Sequence, residues 1–142
     1  MTLGKYYRNS ALYPSLVTIF LTIVFSVIYN YDYKSEWMTA DSVTFLSVLT
    51  SIIYCLIMSS LSTTIFLNKF DKIKDNSFLN FLTWFLLPFG FIIVVFFHEI
   101  SFRIKYNEKF DNDFMYISVL NFPFIVGLIW TYCKYKKINY LI

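Results

Sequence analysis

Four long stretches of this chain contain no Asp, Glu, Lys, Arg or His: residues 11–29, 42–67, 78–97 and 114–133. Proton relays, ion-coupled carriers and voltage sensors keep an ionisable side chain inside their spans. The lack of one here argues against those classes. Glycine is also scarce, with three scattered residues, so no glycine-rich phosphate loop can be built. The two cysteines, Cys55 and Cys133, stand far apart with no CxxC or Cys/His spacing. That argues against a redox motif or a zinc site. Cys55 reads as a small packing residue. Cys133 precedes three lysines at a membrane edge, and acylation there is a minor alternative.

The single histidine, His98, is followed by Glu99. The run His98-Glu99-Ile100-Ser101-Phe102 begins like a zinc-protease motif, but Phe102 stands where the second histidine belongs. His98 could be combined with Asp111, Asp113 or the first-loop acids Asp32, Glu36 and Asp41 into an outer cation site. The plainer reading is a set of solvated polar residues. No serine or threonine has a base at motif spacing. No cofactor or metal is expected, and an enzyme is disfavoured. The net charge of +3 is too small to point to nucleic acid.

What the chain does have is apolar surface. Hydrophobic residues make up 58% of its 142 residues and charged residues 15%. A soluble domain carries about 25% charged residues. About 20 apolar residues in a helix cross the hydrocarbon core, and a helix satisfies its own backbone polar groups there. The fold class predicted is therefore all-α: one integral membrane bundle of four transmembrane helices, running up-down-up-down. The first run is long for a signal-peptide core and lacks a small-residue cleavage site, so it is expected to persist as a span. Candidate N-caps precede each run: Asn9 and Ser10, then Asp41 and Ser42, then Asp75, Asn76 and Ser77, then residues 111–113.

Basic residues set the predicted orientation. Lys5, Arg8, Lys69, Lys72, Lys74, Lys134, Lys136 and Lys137 fall on the side holding both termini, eight against four. The other four are Lys34, Arg103, Lys105 and Lys109. The positive-inside rule then puts both termini in the cytoplasm, with a bacterial cytoplasmic membrane as the expected location. Tyr6, Tyr7, Tyr13, Trp130, Tyr132 and Tyr135 are expected in the aromatic belt on the cytoplasmic side. Tyr29, Tyr31, Tyr33, Trp37, Tyr106 and Tyr116 are expected at the opposite interface.

Inside the bilayer, small residues let helix backbones approach. The second run has such a ridge at four-residue spacing: Ser47, Ser51, Cys55, Ser59 and Thr63. The first has Thr18, Thr22 and Ser26, with Ser15 one turn earlier. These ridges are predicted to face each other as a packing seam, with a polar solute lining as the alternative. Pro88 and Pro123 are predicted to kink the third and fourth helices, because each removes a bond to the carbonyl four residues back, at Trp84 and Val119. Asn121 is the most polar residue inside a span. It is expected to bond across helices or near the Pro123 kink, with a binding role as the alternative.

Three functional classes remain. The favoured one is an interaction or accessory protein of the lipid bilayer, either a subunit of a membrane complex or an immunity-type protein. It would act with a protein partner or as a homo-oligomer. An oligomeric channel or carrier for a small solute is the alternative. A membrane enzyme built around His98 and nearby acids is third.

Overall fold

The computed structural model describes residues 2–31, 37–106 and 112–139, without the side chains of residues 112, 113 and 139. The expectations for Asp32, Tyr33, Lys34, Glu36, Lys109, Asp111 and the Asp113 carboxylate fall outside the described residues. Among the described residues every regular element is helical. Four helices are long and apolar enough to cross a membrane: Leu3–Tyr29, Ala40–Lys69, Ser77–Tyr106, and Phe114–Ile138 within the helix Asn112–Asn139. The chain is an integral membrane protein by this architecture. The helices outrun the uncharged stretches because the charged residues at their ends stay helical. Basic side chains occupy the last turns of the third and fourth helices, where they meet the negative end of the helix dipole.

The capping residues are partly those expected. Asn76 Oδ1 accepts from the backbone N–H of Phe78 and Leu79 at 3.0 and 3.1 Å. The second helix is capped two residues before Asp41, by Thr39, whose hydroxyl accepts from Ser42 N at 3.3 Å. Asn9 and Ser10 do not cap the first helix. They lie inside it, in a π-helical turn at Arg8–Leu12. A proline ring crowds the carbonyl four residues back, here that of Ser10, and the wide turn falls at that point before Pro14. Tyr13 N reaches back to Arg8 O instead, a substitution π-bulges make at prolines.

The first helix packs against both the second and the fourth. Its buried face is made of small residues: Ser10, Ala11, Pro14, Thr18, Thr22 and Ser26. Its large side chains, such as Leu16, Phe20 and Ile28, point outward, where acyl chains would cover them. Bulk on the outside and small groups on the inside is the arrangement lipid favours, since apolar burial gives helices no gain there.

Larger side chains form two clusters in the bundle interior. Tyr6, Ile65, Trp84, Phe85, Leu128 and Tyr135 form the first, with Trp84 completely buried. Its rings meet edge-on or tilted: Tyr6 and Tyr135 centroids are 5.2 Å apart, and Trp84 and Tyr135 are 5.3 Å apart. Such pairs add about 0.5–1.5 kcal/mol each beyond area burial. Tyr6 and Tyr135 are therefore buried in this cluster, whereas Trp130 is 73% exposed. A second cluster joins Tyr54, Cys55, Met58, Ile92, Leu120 and Phe124.

Gly127 marks a close approach of the first and fourth helices. A Cβ added there would overlap Pro14 Cγ and lie 3.4 Å from the Asn9 carbonyl oxygen. Gly90, in the third helix, would meet nothing within 4 Å. Gly127→Ala is expected to lower the melting temperature in detergent, because overpacking costs about 1–3 kcal/mol and the Pro14 ring cannot rotate away. Gly90→Ala should leave it unchanged or raise it, since alanine favours helix by about 1 kcal/mol. Equal melting of the two variants would show that the Pro14 contact is not tight.

Candidate functional site

Polar side chains gather in three places, two of which hold residues selected from the sequence. The first lies in the bundle centre. Tyr54 donates its phenol hydrogen to Asn121 Oδ1, joining the second and fourth helices. Asn121 Nδ2 donates to the Ile117 carbonyl one turn back, at 2.7 Å. That carbonyl differs from Val119, the one deprived of a donor by Pro123. Tyr116 OH adds a bond to Ser47 O at 2.6 Å, and Thr18 Oγ1 one to Leu120 O at 3.5 Å. These bonds tie the fourth helix to the first and second with neutral groups whose partners are other protein atoms. Tyr54 was not singled out in the sequence, although a phenol inside an uncharged run needs a buried partner.

The two small-residue ridges meet only in part. Ser15 Oγ lies 3.2 Å from Ser59 Oγ, and Cys55 Sγ is 3.6 Å from Ser15 O. Thr18 turns toward the fourth helix. Thr22 and Ser26 are buried on the same face, and Thr22 Oγ1 has no partner among the described residues. On the second helix Ser51 is buried and bonds back to Val48 O at 2.7 Å, while Ser47 and Ser59 are half-buried.

Thr63 breaks the predicted ridge, for it is exposed and donates to Ser60 O within its own helix. The cause is a change of pitch. From Ser62 to Lys69 the helix is 3₁₀, with Ser62, Thr63 and Thr64 hydroxyls bonded back to nearby carbonyls. A 3₁₀ helix has three residues per turn. Burial accordingly shifts from four-residue spacing to Ser62, Ile65 and Asn68.

The second place is the far end of the third helix. His98 is exposed, and Glu99 pairs with Arg103 one turn on, Oε1 to Nε at 2.6 Å. Arg103 is 3% exposed, and it was read only as a loop charge in the sequence. Among the described residues no three of His, Cys, Asp and Glu approach closely enough to share a metal ion. Among the described residues this site holds an ion pair with an exposed imidazole beside it.

The third place was not foreseen. Beneath the helix connection 68–74 lies a polar cavity of about 240 Å³, lined in part by Tyr6, Asn68, Lys69, Asp71, Lys74 and Tyr135. Asn68 is held by Nδ2 bonds to Ile65 O and Thr83 Oγ1 at 3.0 and 2.7 Å. Asn80 Nδ2 donates to Tyr135 OH at 3.2 Å. Comparison of the chain with family models, with curated proteins and with solved structures gives no match.

The Tyr54–Asn121 pair can be weighed by a double-mutant cycle of Tyr54→Phe and Asn121→Leu. Side-chain hydrogen bonds between membrane helices average about 0.6 kcal/mol, with larger cases near 1.7. A coupling in that range is expected from detergent unfolding, and a coupling of zero would show that the two residues do not bond.

Proposed function

We propose that this protein is an accessory component of a membrane complex that works by binding a partner's transmembrane helix. The observation that carries this reading is an apolar cleft of about 470 Å³ on the membrane-facing side, with Phe81, Phe85, Leu86, Phe89 and Ile129 around Gly90. At Gly90 there is open space where a side chain would otherwise stand. A small residue flanked by large ones lets a second helix approach and gain van der Waals contact, the main attraction between helices in lipid. The bundle interior supports the same reading. Tyr54, Asn121 and Tyr116 at its centre are bonded to protein atoms, and the four uncharged stretches hold no Asp, Glu, Lys, Arg or His for transport or catalysis.

The accompanying topology is up-down-up-down, with both termini in the cytoplasm of a bacterial cell. Contacts at the two ends of the bundle support it. Leu3, Ile138 and residues 68–74 border one cavity. At the other end Tyr29 OH reaches Met115 Sδ, Asn30 Nδ2 reaches Thr44 Oγ1, and Phe96 packs on Phe114. The surplus of basic residues assigns the first end to the cytoplasm. The third and fourth helices continue through Pro88 and Pro123, both buried. We place a kink at each, arising from the missing backbone donor.

Affinity purification from native membranes in mild detergent, followed by mass spectrometry, is expected to yield a stoichiometric membrane partner. Gly90→Leu should release it without lowering the melting temperature. A lone homogeneous oligomer in both cases would refute the accessory reading and favour an oligomeric channel, to be tested by flux into proteoliposomes. For the topology, a reporter fused to the C-terminus should be active only if it is cytoplasmic. Activity of a periplasm-dependent reporter at that end would invert the assignment.

A further inference from the structure

We propose that the polar cavity at the paired chain ends binds the headgroup of a phospholipid that carries an N–H or O–H donor beside its phosphate. The cavity sits where the second helix ends at Lys69 and the one-turn helix Asp71–Lys74 leads toward the third span. That is the level at which headgroups lie on a membrane protein of this architecture. Its walls come from both ends of the chain and from the second connection, so it is built from elements distant in sequence.

The lining states what it would hold. Lys69 and Lys74 supply two cationic donors, and neither pairs with Asp71 or another carboxylate among the described residues. Unneutralised lysines bordering a cavity at the membrane surface suit a phosphate. The other half of the lining accepts hydrogen bonds. Asn68 borders the cavity at 3% exposure, its amide nitrogen is committed to Ile65 and Thr83, and its Oδ1, itself buried, has no partner among the described residues. A buried acceptor left unmatched is costly. Asp71 adds a carboxylate on the same wall. A ligand that satisfies both halves has an anionic phosphate and a nearby donor, as in phosphatidylethanolamine or phosphatidylglycerol. Phosphatidylcholine has the phosphate, but its quaternary ammonium has no hydrogen to give. Tyr6 and Tyr135, also in the lining, pack edge-on against each other. This inference is independent of any protein partner at the Gly90 cleft.

Native mass spectrometry of the intact purified protein tests the proposal, with phosphatidylethanolamine, phosphatidylglycerol, phosphatidylcholine and inorganic phosphate as separate probes. The first two lipids are expected to bind the wild type about tenfold more tightly than phosphatidylcholine. Lys69→Gln/Lys74→Gln should weaken them by about tenfold. Lys69→Arg/Lys74→Arg, and Lys72→Gln on the same short helix but outside the lining, should not. Equal binding of phosphatidylcholine overturns the donor requirement and needs no variant to read. Equal loss in Lys72→Gln, or none in the double glutamine variant, overturns the site. Inorganic phosphate that displaces the lipids at comparable concentration would assign the cavity to a free anion and overturn the lipid.

Discussion

The close approach of the first and fourth helices at Pro14 and Gly127 constrains the rest of the bundle. Only a residue without a Cβ leaves room for the proline ring, and only a wide turn at Arg8–Leu12 precedes that ring inside the helix. With these two helices close, Thr18 reaches the Leu120 carbonyl, and the first helix fills the space between the second and the fourth. In water a core of this kind would be poor, because it buries hydroxyls and leaves leucine and phenylalanine outside. In lipid the balance reverses. Apolar groups gain nothing by leaving the acyl chains, so close packing and internal hydrogen bonds decide the arrangement.

The polar groups of the interior follow from the same constraint. While the buried Thr22 and Thr131 hydroxyls have no partner among the described residues, the Tyr54 phenol, the Asn121 amide and several hydroxyls bond one another or nearby carbonyls. Their bonds hold helices together and leave no free acid or base in the spans. The ion pair Glu99–Arg103 and the exposed His98 stand at the end of the third helix, where charge can be solvated. Under the proposed reading, the protein acts by contact and recognition. Its two distinctive surfaces, the cleft at Gly90 and the cavity at Asn68, differ in polarity, and each suits a different component of a membrane.

Where the structure departs from expectation, local backbone geometry is the cause. The ridge on the second helix ends at Ser59 because the following hydroxyls tighten the helix to three residues per turn. Thr63 then turns outward while Ser62, Ile65 and Asn68 turn inward. That turn of pitch also carries Asn68 to the cavity. In the first helix the π turn absorbs Asn9 and Ser10, which were expected to cap it. Neither departure is visible in hydropathy, which is averaged over longer windows than a single turn.

The sequence alone determined that the chain is helical and lies in a membrane. Uncharged runs of about twenty residues have no other stable arrangement, since every backbone group must be satisfied within the segment. It also identified the buried face of the first helix, because small residues at four-residue spacing share one side of a helix. Which helix that face meets was decided by tertiary structure. Thr18 and Ser15 lie one turn apart yet serve different neighbours. The partnership of Tyr54 with Asn121, the burial of Trp84 between Tyr6 and Tyr135, and the cavity shared by both chain ends each join residues far apart in sequence. Hydrophobic periodicity reports the side of a helix on which a residue lies. It carries no information about what stands opposite, because that depends on the rotation and separation of helices fixed by their joint packing.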